Sequence, residues 1–526
     1  MSDLDPDADV RRGEIIAALS LATDLAMGQP VEFALRSCVL GMRLGEALRL
    51  SDEELSEIYF QALLRYVGCN AETYSLVALF GDELSLRRDL ARIDMGKAAE
   101  LAAVVLRHLR SANVDAGPVD TVLAIARGLL VAQKTSVDNI AAHCEAAERL
   151  AERLGLGPWI RRNLGQIYER WDGRGLPNRL RGEAIAPAVR VVIFAQDVVV
   201  LRAAYGDDGA WARLRARRGR IYDPRLVDCF LARADRFVAG LDEVSSWDAV
   251  LGLEPGPRCH LSGQAFDEAC LAMADFADLK SPYVLGHSRA VSRLAAAAAR
   301  RYGLPARDVI DIGRAGLLHD IGRVGISARL WLKPGALTDG EREQVRLHPY
   351  YTERVLARAP ALARLGAIAA QHHERLDGSG YHRGTRTLSS QARILAAADA
   401  YCGKAASRPH RAALTAEGTA DHLRREVRAG RLDGDAVAAV LAAAGHTPSP
   451  RRALVMGLTE REVEVLQALA RGLSMKQIGR HLGISPKTVD NHLQSLYGKI
   501  DVKTRAGATL FALEHGLVDL GRDRVS

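Results

Sequence analysis

"LLHDIGRVG" at residues 317–325 and "HHERLDGSGYH" at 372–382 decide how this chain is read. Around them lie "GHSR" at 286–289, "RLHP" at 346–349 and "ILAAADAY" at 394–401. Together these segments carry His287, His319, Asp320, His348, His372, His373 and Asp399. The histidines fall in separate predicted helices, as a site assembled in the core of a helical bundle requires. Each imidazole offers one neutral nitrogen lone pair, and each carboxylate a hard oxygen that can bridge two cations. Five imidazoles and two carboxylates suit iron, manganese or another first-row ion better than calcium or magnesium. A shared carboxylate lets two ions sit about 3.5–4 Å apart and activate one bridging hydroxide, a nucleophile suited to in-line attack on phosphorus.

The His–Asp dyad, the HHExxDGxGY run and the later Asp resemble the HD-GYP phosphodiesterase family over residues 270–445. The resemblance implies one metal held by His287, His319, Asp320 and Asp399, and another by His348, His372 and His373, with Asp320 bridging. Some family members add a Glu one helical turn before the first His to hold a third metal. That place is Tyr283 here, so the expectation is two divalent ions, iron or manganese. Asp320, His319 and Arg323 are the expected catalytic groups. Substrate contacts are expected from Arg323, Asp377, Gly378, Gly380 and Tyr381, and from Arg408 and Arg411 in "RPHR". Two positions depart from the family. Its Lys after the dyad is Arg323, which cannot lose its proton but binds phosphate in a planar fork. Its GYP proline is His382, so the loop at 378–382 loses a fixed φ angle.

Ala, Leu and Arg dominate the 526 residues and β-branched runs are scarce, so an all-α protein is expected. The formal charge of +7 permits nucleic-acid binding without establishing it. Seven cysteines are scattered singly with no CxxC pair, which points to reduced thiols rather than a disulfide framework. The start, "MSDLDPDADV", is acidic and polar, unlike a signal peptide. No apolar run reaches the ~18 residues of a membrane span. The longest candidate, 188–201, is broken by Arg190, Gln196 and Asp197. A cytoplasmic protein with no membrane partner is expected.

The first half of the chain repeats the second. "IYERWDGRGLP" at 167–177 aligns with 372–382, and His143 with His348, both at an offset of 205. "ALLRYVG" at 62–68 echoes the dyad segment. Such self-similarity means one fold used twice. The first copy has lost its ligands. Arg36 stands for His287, Arg65–Tyr66 for the dyad and Ile167–Tyr168 for His372–His373. Gln196 lies near the place of Asp399, and only His143 survives. This degenerate copy is expected to serve as a scaffold or dimerisation surface, or as a sensor in which Arg36 and Arg65 pair with an anion. A helical insertion is expected over 80–140. Asp278 and Lys280, in "DLKSPY", read equally as a solvated helix end or as part of the pocket. The expected domains are a degenerate HD-GYP-like domain at 1–255, a metal-dependent one at 256–445, a linker at 446–456 and a DNA-binding domain at 457–526.

In the last domain, Thr459 to Glu462 and Ser474 to Gln477 are capping boxes. Gly472 ends the first helix, Gly483 supplies a bend, and Ser485 caps a helix with Pro486 at its first position. Three short helices, the last two tightly joined, make a helix-turn-helix. The segment resembles the LuxR/FixJ-type DNA-binding domain nearly end to end. Val463, Leu466, Leu469, Ile478, Leu482, Val489 and Leu493 read as its core. The resemblance implies that Asp490, Asn491 and Gln494 face base edges of double-stranded DNA while Lys476, Lys487, Thr488 and Lys499 meet phosphates. The helix after Thr504, ending near Gly516, implies a homodimer.

The whole reads as a transcription regulator whose central domain binds and hydrolyses a cyclic dinucleotide such as cyclic di-GMP. Two alternatives stay open: a ligand-gated regulator whose HD domain does not hydrolyse, and a phosphatase of another phosphorylated metabolite.

Overall fold

The computed structural model describes residues 10–113, 140, 142–242, 245–446, 457–470, 473–500, 502, 505, 508, 511, 512 and 517. Residues 114–139 of the expected insertion, all of the expected 446–456 linker but His446, Gly472, Thr504 and Gly516 lie outside the described residues. The fold is all-α. Among the described residues the one strand pair is β1 (Val10–Arg11) antiparallel to β2 (His260–Leu261), with Val10 opposite Leu261. The chain divides into two compact units, 1–446 and 447–526.

In the first unit α1 (Arg12–Ala26) is apolar on nearly every side and buried along most of its length, as a helix without a polar face must be. The Cβ of Leu25 in α1 lies 3.3 Å from where a Cβ on Gly325 would stand, so this N-terminal helix packs directly against the loop after the His319–Asp320 dyad. Helix α2 (Phe33–Ala47) follows, with the Ala34 amide donating to buried Asp24. Helix α3 (Asp52–Leu64) opens with a capping box between Ser51 and Glu54. Further along the chain lie, among others, α4 (Glu83–Leu90) and α5 (Pro187–Arg217), the latter broken at Gly206, whose φ is 66°.

The C-terminal half of the unit runs through α6 (Gly263–Asp278), α7 (His287–Tyr302), α8 (Ala306–Leu318), α9 (His348–Leu356), α10 (Pro360–Ala369) and α11 (Ser390–Ala405). One hydrophobic core extends from Val10 to Leu441, on both sides of residue 255.

The two halves of the unit share details of backbone packing. A Cβ on Gly68 would lie 2.0 Å from the His143 carbonyl oxygen, and one on Gly322 would lie 2.1 Å from that of His348. Only glycine admits so close an approach. Buried Glu169 accepts the amides of Asn178 and Leu180, and buried Glu374 those of Arg383 and Thr385. Each carboxylate thus clamps the loop that follows it, at equivalent positions of the two copies.

In the second unit α12 (Glu460–Ala470), α13 (Met475–Leu482) and α14 (Pro486–Lys499) surround a core that includes Leu466, Leu469, Ile478, Val489 and Leu493. Val465 is buried here; Val463 and Leu482 are only partly buried and pack at its edge. Both capping boxes form: the Thr459 and Ser474 amides donate to Glu462 and Gln477, each at 2.7–2.8 Å. Gly483 takes the left-handed conformation between α13 and α14, with φ 66°.

Candidate functional site

Helix ends converge on one point of the C-terminal copy. His287 begins α7 and His348 begins α9. His319 and Asp320 follow the last residue of α8, and His372 and His373 lie just past α10. Asp399 comes from within α11. These side chains form two groups, His287–His319–Asp320 and His348–His372–His373, each with donor atoms within 4.8 Å of one another.

Asp320 stands between the groups. Its Oδ1 lies 3.5 Å from His348 Nε2 and 3.6 Å from His372 Nε2. Its Oδ2 lies 3.4 Å from His319 Nε2 and 3.8 Å from His287 Nε2. Asp399 bridges in the same sense, with Oδ1 3.1 Å from His287 Nε2 and Oδ2 3.9 Å from His373 Nδ1.

Three of the histidines are oriented by one device. The Nδ1 of His319 donates to the Gly316 carbonyl at 2.8 Å, that of His348 to Val345 at 2.6 Å, and that of His372 to Ala369 at 2.7 Å. A carbonyl only accepts, so Nδ1 carries a hydrogen and Nε2 is the atom turned inward, a lone-pair donor wherever it is unprotonated. The Nε2 atoms of His348 and His372 then face each other at 3.2 Å, and buried Nε2 of His319 has no hydrogen-bond partner. Converging lone pairs beside two carboxylates fit a metal, because only a cation satisfies them together.

The electrostatics agree. Burial pushes His348 down to about 4 and His372 to about 3, leaving neutral imidazoles at pH 7. Burial also opposes a charge on His319, but Asp320 and Asp399 outweigh it and push that ring up to about 9. Burial works against ionised Asp320 as well, yet Arg323 and His319 hold it well below the carboxylate range. A bound cation would replace the His319 proton.

Around the groups, Arg323 donates to Asp320 Oδ2 at 2.7 Å and lies 4.0 Å over the Trp331 ring. Tyr381 stacks on His373 with centroids 4.7 Å apart. Arg408 donates to the Tyr283 carbonyl at 2.7 Å. Arg411 is taken up by the carbonyls of Gly403, Lys404, Ala406 and Ala412, which makes it a staple of its own loop. Exposed Asp377 accepts from Ser379. Gly378 has φ +81°, and a Cβ on Gly380 would lie 2.4 Å from the Arg375 amide nitrogen. Both therefore shape the loop through their backbone. His382 Nε2 lies 3.2 Å from Glu353.

Asp278 and Lys280 are both buried rather than a solvated helix end. Asp278 accepts from the amide and hydroxyl of Ser288 at 3.0 and 2.8 Å, fixing the start of α7 beside His287. Lys280 instead donates to the Val324 carbonyl and pairs with Glu83. Thr352 and Glu374 escaped the sequence reading. Thr352 Oγ1 donates to the His319 carbonyl and accepts the Gly322 amide. The S/T and E/Q signals visible in sequence mark helix caps, and neither residue is one.

In the N-terminal half Arg65 donates to Gln196, near the place expected for Asp399, and to the Ile167 carbonyl, at the place of His372. Its guanidinium is therefore engaged by neighbours and offers no free fork to an anion. Arg36 is separate from it, facing Asp242 at 3.5 Å. His143 is buried against Tyr168 and the Arg65 carbonyl.

On the helix-turn-helix, Lys476, Lys487, Asn491 and Gln494 are exposed. Thr488 bonds the Ser485 hydroxyl, and Asp490 accepts from Gln494 at 3.4 Å. Lys499 donates to buried Glu462 at 2.7 Å, which commits it to the fold.

The HD domain family matches residues 118–226 and 272–436. The chain belongs to the HD domain family. The bacterial regulatory proteins of the luxR family match residues 456–512. Over 411 residues this HD domain chain is 31% identical to 3'3'-cGAMP-specific phosphodiesterase 3 of Vibrio cholerae, a match spanning 76% of the chain and 88% of that relative. It is 40% identical over 129 residues to a cyclic di-GMP phosphodiesterase of Thermotoga maritima, covering 24% of the chain and 35% of the relative. A crystal structure of a cyclic GMP-AMP specific phosphodiesterase in Vibrio cholerae superposes with a TM-score of 0.57 at 26% identity, covering 84% of this chain and 99% of that one. No helix among the described residues is long and apolar enough to cross a membrane.

Proposed function

We propose that the C-terminal HD domain hydrolyses a phosphodiester bond of a cyclic dinucleotide with two divalent ions, iron or manganese. The C-terminal module would bind double-stranded DNA as a dimer. The observation that carries the reading is the Asp320 carboxylate, one oxygen toward each histidine group. When bound, metal supplies a nucleophile at neutral pH and positive charge against the phosphate oxygens. His287, His319, Asp320 and Asp399 would hold one ion, and His348, His372, His373 and Asp320 the other. Arg323, fixed over Trp331, meets the charge that develops on the phosphate. Tyr381, stacked on His373, offers a flat ring to a base. The clamp of Glu374 holds the loop that carries Tyr381.

Both kinds of relative bear names of cyclic dinucleotide phosphodiesterases, which supports that substrate class. Full-length protein loaded with manganese or iron is to be incubated with 3'3'-cGAMP and with cyclic di-GMP, and the products separated. A linear dinucleotide that disappears in Asp320→Asn is the expected result. Absence of product from metal-replete protein sinks the hydrolytic reading.

A second reading, nucleotide binding without turnover, is favoured by the Arg323–Asp320 contact at 2.7 Å. A permanently protonated guanidinium there neutralises part of the bridging carboxylate and cannot shuttle a proton.

A further inference from the structure

The N-terminal copy contains a cavity of about 490 Å³ between α2, the end of α4 and α5. Its volume is that of a small-molecule site. Four guanidiniums line it, from Arg36, Arg88, Arg92 and Arg202, against the carboxylates of Asp207 and Asp242. Asp242 faces Arg36 at 3.5 Å and Arg202 at 3.4 Å, and Asp207 faces Arg202 at 2.8 Å. Arg88 donates from Nε to the Gly28 carbonyl. Among the described residues no carboxylate pairs with Arg88 or Arg92. The described lining therefore carries four guanidiniums against two carboxylates, an excess of positive charge. Pro30, Phe33, Val199 and Leu241 add an apolar part to the lining.

We propose that this cavity is a binding site for a phosphate-bearing nucleotide. Guanidiniums fork onto phosphate oxygens, while the wall around Phe33 takes an apolar or aromatic face. A bare phosphate would leave that wall and most of the volume unused. The cavity walls α2 and α5 are the counterparts of α7 and α11, which carry His287 and Asp399. Arg36, at the place of His287, lines this cavity, while Arg65 and Gln196 lie outside its lining. The inference rests on cavity and charge alone and is independent of whether the other copy hydrolyses anything.

Photolabelling of the full chain with 8-azidoguanosine monophosphate, followed by peptide mapping, tests it. Label is expected on peptides spanning 28–36 and 199–207, displaced by unlabelled guanosine monophosphate or cyclic di-GMP. Arg36→Ala with Arg92→Ala removes two charged donors, so half-maximal labelling should need on the order of a hundredfold more nucleotide. The variant's unfolding temperature should stay near that of the wild type. Should that variant not fold, Arg36→Lys with Arg92→Lys keeps the charge but loses the fork, and about a tenfold weakening is expected. Label confined to the C-terminal copy, label undiminished in a folded variant, or displacement by inorganic phosphate as effective as by nucleotide would each overturn the proposal.

Discussion

Lys280 Nζ lies 2.8 Å from Glu83 Oε1, and both side chains are sealed from solvent. Glu83 belongs to α4 in the N-terminal copy, while Lys280 precedes the helix that begins at His287. Glu83 also accepts the Ala328 amide and the Ser327 hydroxyl, and Lys280 donates to the Val324 carbonyl at 2.7 Å. The N-terminal half thus grips the loop after the dyad through one ionic node. Burial would raise the Glu83 carboxyl, but Lys280, Arg87 and the Ala328 amide hold it below its usual range.

Glu83→Ala leaves a buried ammonium without its partner and should cost about 3–5 kcal/mol of stability. Urea unfolding of the full chain measures this. Replacing Glu83 and Lys280 together by Met should recover much of the loss, because the uncompensated charge is then gone. A single-variant loss under about 1 kcal/mol would place the pair with ordinary surface bridges.

Metal content should depend on the C-terminal copy alone. The shared core argues against cutting the chain near 255, so the full-length protein is the sample. Asp320→Asn combined with His372→Ala disrupts both groups, and elemental analysis should then find no stoichiometric metal. Metal added to the wild type should raise its unfolding temperature, and chelation should reverse the gain. Retained metal in the double variant would mean a site elsewhere.

Glu374→Ala should release the loop at 378–385. The Arg383 and Thr385 amides then lose a charged acceptor, a change of about 1.5–3 kcal/mol per hydrogen bond, visible as faster hydrogen exchange. Glu169→Ala should do the same at Asn178 and Leu180 while leaving metal content untouched. Unchanged exchange in either variant counts against the clamp.

The helix-turn-helix should lose stability in acid. Burial raises the Glu462 carboxyl, but Lys499, Ser495 and Thr459 overcome it and lower the group from 4.5 to about 2. A carboxylate whose folded pKa is depressed contributes stability that is complete above the unfolded value and is lost as pH falls through the folded one. The window is therefore pH 4.5 down to about 2. Glu462→Gln should flatten the dependence of the C-terminal transition in calorimetry across that window. Lys499→Ala should act the same way, as a stability variant.

Asn491 and Gln494 stand one helical turn apart on the exposed face of α14. Replacing either with Ala should relax preference at one base pair by roughly 1–3 kcal/mol. Lys487→Ala should weaken all duplexes alike and lower the salt slope by about one. Titrations of specific and random duplexes at several salt concentrations separate the two. No preference for any sequence in a random-library selection would leave the module as a protein-interaction element.

Much of this was legible in the residues. His287 follows Gly286 and His348 precedes Pro349, so local helix-boundary signals mark where these histidines sit at their helix starts. The caps at Thr459, Ser474 and Ser485 were readable because both partners lie within one turn. The carbonyls that orient His319, His348 and His372 lie only three residues back, yet no residue type announces them, since every residue has a carbonyl.

The order of the five histidines and two aspartates, the internal similarity at an offset of 205 and the helix-turn-helix register were set by sequence alone, because spacing along a helix converts directly into direction. The pairing of Lys280 with Glu83, of Arg65 with Gln196 and of Lys499 with Glu462 was decided only in the folded chain. So was the grouping of four arginines around one cavity. A long charged side chain carries no mark of its partner, and whether it ends in solvent, on a carbonyl or against a buried carboxylate depends on which distant helix packs beside it.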